Sequence, residues 1–123
     1  DCDALDAIAS TSGVPLVYDS AHAFGCEFQG RGIGGLGKAS AFSFHATKVL
    51  NTFEGGAVTT NDGDLAEAVR RYRNFGLAAG AVALGLGTNA KLAEVSAAMG
   101  LVNLLHLDEF IAANRRNYLA YCE

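Results

Sequence analysis

The order of elements read from the chain predicts an α/β fold: a mostly parallel sheet with flanking helices, followed by C-terminal helices. Three observations carry this reading. Short apolar runs rich in β-formers alternate with helical stretches over the first 76 residues. The first such run, Val14 to Tyr18, is continuously apolar rather than alternating, as in parallel strands covered on both faces. From Thr88 onward the periodicity is helical, with no further strand pattern.

Taken in order, residues 3–12 read as a helix with Leu5, Ile8 and Ala9 on one face and Gly13 ending it. Val14 to Tyr18, residues 39–44 and Ala57 to Thr60 are the three strand candidates. Asn61-Asp62 then caps a helix from Gly63 to Asn74, ended by Phe75-Gly76, with Leu65, Ala68, Val69 and Tyr72 as its inner stripe. Residues 77–88, mostly Ala, Gly, Leu and Val, read as a flexible connection. Beyond it, Leu92, Val95, Met99 and Val102 mark one helix. Asp108 breaks or caps it, and a second helix follows with Phe110, Ile111, Tyr118 and Leu119 on one side and Arg115-Arg116 on the other. The organisation is therefore 1–76, a connection at 77–88, and helices over 89–123.

The 123 residues, half of them hydrophobic, are enough for one core. Nine basic residues against thirteen acidic ones give a net charge of -4. No basic stretch is dense enough for nucleic-acid backbone binding. The apolar runs stop well short of the ~20 residues a membrane span needs, and no signal peptide is visible. The three cysteines, Cys2, Cys26 and Cys122, are odd in number and show no metal-ligand spacing, which points to a reduced, cytoplasmic setting. Residue 1 is Asp, and the last stretch still reads as helix at Glu123, so the expectation is a piece of a longer chain.

Two residues stand out chemically. Asp19 follows the first strand candidate, and Lys48 lies just past the second, ahead of Gly55-Gly56. Ligands of open α/β sheets bind beyond the carboxyl ends of the strands. A lysine and an acid there are the parts a protein needs to hold pyridoxal phosphate: the amine bonds the aldehyde, and the carboxylate keeps the pyridine nitrogen protonated so that the ring accepts electrons. Each also has an ordinary reading, Lys48 as a solvent-facing cation and Asp19 as a turn or N-cap residue. His22 suits either a core histidine or a contact to the cofactor ring. Ser43 suits either a phosphate contact or a local backbone bond. Asn89 reads as a helix cap or as an amide donor to an anion. The glycines from Gly30 to Gly37 match the dinucleotide fingerprint by letter, yet they precede a strand instead of following one, so they read as a tight surface loop.

With those residues in view, the chain resembles the DegT-type sugar aminotransferases, which are fold-type I pyridoxal phosphate enzymes. The resemblance runs over Val17-Tyr18-Asp19-Ser20-Ala21-His22, Ala41 to Lys48, Glu54-Gly55-Gly56-Ala57-Val58, Arg73-Asn74-Phe75-Gly76 and Gly87 to Glu94. It implies that residues 1–76 are the second part of the cofactor-binding large domain and that 89–123 lead into the small domain. It implies Lys48 as the lysine that bonds pyridoxal 5'-phosphate, Asp19 as the partner of the ring nitrogen and His22 as a contact to the side of the ring. Ser43 resembles the phosphate-binding serine, and Asn89 the asparagine that reaches a phosphate in the neighbouring subunit of a homodimer. No metal is implied. Some relatives carry histidine in place of the lysine and act as dehydratases, so Lys48 favours transamination from an amino acid, with glutamate the usual donor, to a nucleotide-linked keto-deoxysugar. Family members are about three times longer, so the isolated chain is expected to be inactive. Two alternatives remain from the residues themselves: an inactive, self-associating structural module, and a small dinucleotide-binding domain, which requires a helix after the glycine run.

Overall fold

The computed structural model describes residues 1–123. They divide into two compact units, Asp1–Phe42 with Ala57–Lys91, and Ser43–Gly56 with Leu92–Glu123.

In the first unit, helix α1 (Cys2–Ser12) begins where the Asp1 carboxylate accepts from the Ala4 N–H at 3.1 Å, and it ends at Gly13, whose φ of 67° lies in the left-handed region. Strand β1 spans Val17–Asp19, shorter than the predicted run from Val14. The Val14 N–H is already used to close α1 on the Ala9 carbonyl, and Pro15 has no N–H to give a ladder. Strand β4 (Ala39–Ser43) pairs with β1 in parallel, with Asp19 opposite Ala41. Strand β5 (Gly56–Thr59) completes a sheet in the order β1-β4-β5. The end residues Ser43 and Gly56 belong to the second unit.

The sheet differs from expectation in its cover. Val17 is 60% exposed and Val58 49% exposed, so the strands are not enclosed on both faces within this chain. The buried apolar residues are few, Leu36 and Ala39 in this unit. Polar groups do much of the holding. Ser40 is fully buried and donates to the Ile33 carbonyl at 3.1 Å. The Thr59 hydroxyl donates to the Gly34 carbonyl at 2.8 Å, and Thr60 to the Lys38 carbonyl at 2.6 Å.

A hairpin absent from the sequence reading precedes β4. Strands β2 (Glu27–Phe28) and β3 (Arg31–Gly32) pair antiparallel around Gln29-Gly30, both with positive φ, 52° and 74°. That is the signature of a primed two-residue turn, and Gln-Gly is a weaker signal for it than Asn-Gly. The glycine run continues into a single 3-10 turn over Ile33–Gly35 and then β4. No helix opens there, so the dinucleotide-binding alternative is overturned.

Helix α2 (Gly63–Tyr72) starts at Asp62, which accepts from the Leu65 N–H at 3.0 Å and pairs with Lys38. The Lys38 ammonium, with help from the Leu65 amide, holds the Asp62 carboxyl below the usual carboxylate range. Residues 77–88, predicted to be an irregular connection, instead fold back through bridges between Leu77 and Ala83 and between Asn74 and Asn89. The Ala78 N–H reaches the Val82 carbonyl at 2.9 Å and Thr88 N–H the Tyr72 carbonyl at 2.7 Å.

In the second unit, helices α3 (Glu94–Leu105) and α4 (Leu107–Cys122) follow one another. Helix α3 starts later than the predicted Thr88, because residues 88–90 bond to the end of α2 instead. The break falls at His106, and Asp108 sits in the first turn of α4, where an acid suits the helix N-terminus. The apolar stripe predicted for α3 is not its buried face. Val95 is 69% exposed and Val102 53% exposed, while Ser96, Gly100 and Asn103 are buried. No single helix is long and apolar enough to cross a membrane.

Candidate functional site

Each candidate residue takes its place from a local device. In the first unit, Asp19 ends β1, and its Oδ1 accepts from the Ala21 N–H at 3.1 Å, forming an Asx turn. Oδ2 is left for another donor, and the residue is exposed. The next residue, Ser20, is buried and its N–H donates to the Ala41 carbonyl at 2.8 Å, so the backbone behind Asp19 is held by the sheet. His22 lies on the turn that follows and is exposed. Phe24, two residues on, meets Phe42 of β4 edge-on with ring centres 6.0 Å apart.

Asn89 belongs to the same unit but not to a helix mouth. It is exposed and bridges antiparallel to Asn74, with the Ala90 N–H on the Arg73 carbonyl at 2.9 Å. The helix-cap reading of Asn89 is thereby overturned, since α3 begins at Glu94. Two residues away, the Lys91 ammonium sits 4.8 Å from the centre of the Phe75 ring, a cation–π contact.

In the second unit, Ser43 is the last residue of β4, and its Oγ accepts from the His45 N–H at 3.3 Å. Its hydroxyl hydrogen remains available as a donor. Lys48 follows on a turn in which its own N–H donates to the His45 carbonyl at 2.9 Å, and the residue is half-buried. The loop carrying Lys48 is closed at its base. The Phe44 N–H donates to the Gly55 carbonyl at 2.8 Å, and the Thr52 N–H to the Phe44 carbonyl at 2.9 Å. Thr52 also donates its hydroxyl to the Glu54 carbonyl at 2.7 Å. Leu50 and Thr52 are buried, which anchors the C-terminal arm. His45, whose place the sequence left open, lies with its Nδ1 2.9 Å from the Thr47 hydroxyl and its Nε2 3.7 Å from Glu54 Oε1.

The sequence reading did not single out Asn103, Gly100 or Thr52. Asn103 donates its side-chain amide to the Asn51 carbonyl at 2.8 Å, and a methyl group on Gly100 would stand 2.8 Å from Thr52 Cγ2. The signal available was the spacing of small and polar residues at 96, 100 and 103, which matches one helix face as well as the apolar stripe does.

Taken unit by unit, the first offers an exposed carboxylate at Asp19, and the second a half-buried primary amine at Lys48 on a loop closed at its base and a hydroxyl at Ser43. No group of three or more His, Cys, Asp and Glu side chains is placed to hold a metal ion.

The chain is 41% identical over 111 residues to dTDP-4-amino-4,6-dideoxy-D-glucose transaminase of Shigella dysenteriae, covering 90% of this chain and 30% of that one. Its fold matches the crystal structure of DesI, determined in the presence of its TDP-sugar product, with a TM-score of 0.89 and 50% identity over 98% of this chain and 31% of that one. It also matches the PLP form of Spr1654 from Streptococcus pneumoniae, with a TM-score of 0.70 and 26% identity over 78% of this chain and 26% of that one. The chain thus spans about a third of the length of the relatives it matches. The description of the DegT/DnrJ/EryC1/StrS aminotransferase family fits residues 1–123, the whole of the sequence, and the chain belongs to that family.

Proposed function

We propose that this chain is the lysine-bearing section of a pyridoxal-phosphate-dependent aminotransferase. The whole enzyme moves an amino group from an amino acid, glutamate, to the keto group of a nucleotide-linked deoxysugar. The observation that carries the reading is the half-buried Lys48 on a loop closed at its base by the bonds between Phe44, Thr52 and Gly55. A loop so fixed holds an amine at a set position, which is what covalent attachment of a cofactor asks of it. The names of two relatives contain dTDP- or TDP-linked sugars, which supports the acceptor class. The Shigella dysenteriae relative is named a transaminase, so the structural-module alternative gains no support.

In this reading Lys48 would be the residue that holds the cofactor, its Nζ condensing with the aldehyde with loss of water, and its amine would be the group that carries the proton at the donor carbon. Bound there, the cofactor supplies an electron sink for that carbon. Asp19 would hold the ring nitrogen and keep it protonated, His22 would contact the ring, Ser43 would donate to the phosphate, and Asn89 would reach a phosphate of the partner subunit in a homodimer. A reducing, cytoplasmic setting accords with the three free thiols. The test adds pyridoxal phosphate to the full-length protein and follows the yellow absorbance of a lysine-bound cofactor. The band is expected in the natural protein and not in Lys48→Ala; its absence from both would remove the proposal.

A further inference from the structure

The loop bearing Lys48 is held at its base by main-chain bonds, but its C-terminal arm has a second anchor. Asn103 of α3 is only 6% exposed, and its side-chain amide donates to the Asn51 carbonyl at 2.8 Å. Asn51 lies three residues after Lys48. Next to it, Gly100 lets α3 approach the buried Thr52 so closely that an added methyl would stand 2.8 Å from Thr52 Cγ2. Losing the Asn103 amide would leave a carbonyl short of its partner and free the arm to shift.

We infer that Asn103 is a positioning residue for Lys48, acting through the main-chain carbonyl of Asn51. Helix α3 thereby sets where the amine stands, although Asn103 itself touches no reacting atom. The importance of that placement rests on the proposed role of Lys48, but the placement itself can be read without any cofactor.

The test uses the full-length protein and two rates. The first is borohydride trapping of pyridoxal phosphate on Lys48, quantified by peptide mass spectrometry. The second is acetylation of Lys48 by acetic anhydride in cofactor-free protein, with Lys38 and Lys91 as internal references. Asn103→Leu, similar in size and unable to donate, is expected to slow trapping about tenfold, since small misplacements are costly in oriented reactions. The same variant should change Lys48 acetylation relative to Lys38 by more than about twofold. Asn103→Gln, which keeps the amide, should recover part of both rates. Ser96→Ala, on the same buried face, should lower the melting temperature and leave both rates alone. A folded Asn103→Leu protein whose two Lys48 rates equal those of the natural protein would overturn the inference. If that variant does not fold, Asn103→Ala is judged by the same rates. Should the natural protein itself fail to be trapped, the aminotransferase reading fails, while the acetylation rates still decide the role of Asn103.

Discussion

Tyr18 of β1 places its hydroxyl 3.4 Å from the Asp6 carboxylate of α1 and 3.4 Å from the Cys2 carbonyl. One phenol hydrogen thus serves two acceptors on the helix that packs beside the strand ending in Asp19. Burial, then the hydrogen bond to Cys2 and the charge of Asp6, push the phenol up to about 12. A raised value means that the folded state holds this proton more tightly than the unfolded state does. The contribution is therefore complete below the ordinary tyrosine value of 10.0 and is lost as pH rises toward about 12. Urea midpoints measured around pH 9 and around pH 11.5 should fall further for the natural protein than for Tyr18→Phe. Equal falls would show that the phenol is not held by α1.

Gly37 precedes β4 with a φ of 62°, and a Cβ there would stand 2.8 Å from the Leu16 carbonyl oxygen and 2.9 Å from the Tyr18 ring. The left-handed conformation alone costs a side-chain-bearing residue roughly 1–2 kcal/mol. The obstructing oxygen is backbone, so it cannot swing away. Gly37→Ala is expected to destabilise by more than about 2 kcal/mol. Gly30→Ala, with a φ of 74° but open space around the new carbon, should cost only the backbone part. Denaturant unfolding of the two variants compares them directly.

Gly100 carries an opposed pair of effects. Alanine in place of glycine within a helix gains about 1 kcal/mol of propensity. Against this, the added methyl would press on Thr52, which is 3% exposed and fixed by its bond to the Glu54 carbonyl. Overpacking of that kind costs about 1–3 kcal/mol, so the net effect of Gly100→Ala should be destabilising. In a Thr52→Ser background, which lacks the obstructing methyl, the same change should turn neutral or stabilising. A double-mutant cycle showing no coupling would contradict the contact.

The residues that made the fold legible were those with strong local signals. Gly13 ends α1, Asp62 opens α2, and the strand candidates 39–44 and Ala57 to Thr60 correspond to β4 (Ala39–Ser43) and β5 (Gly56–Thr59). Elements set by distant partners were less legible. Val14 has the side chain of a strand residue, but its N–H closes α1, and Asn89 has the side chain of a helix cap, but residues 88–90 bond the end of α2. On α3 the apolar and small residues repeat with the same period, so periodicity alone could not say which face meets the Lys48 loop. Lys48 and Asp19 stand out as candidates through residue chemistry and their place at strand ends, and Ser43 through its hydroxyl five residues before Lys48. Asn103 escaped because its role lies in a hydrogen bond across 52 residues of sequence.

The central claim is that Lys48 bonds the cofactor. Borohydride reduction of the full-length protein with pyridoxal phosphate, followed by peptide mapping, tests it most directly. One reduced adduct is expected, on the peptide containing Lys48, and none in Lys48→Ala. An adduct confined to Lys38, Lys91 or residues outside this chain, with Lys48 unmodified, would contradict it.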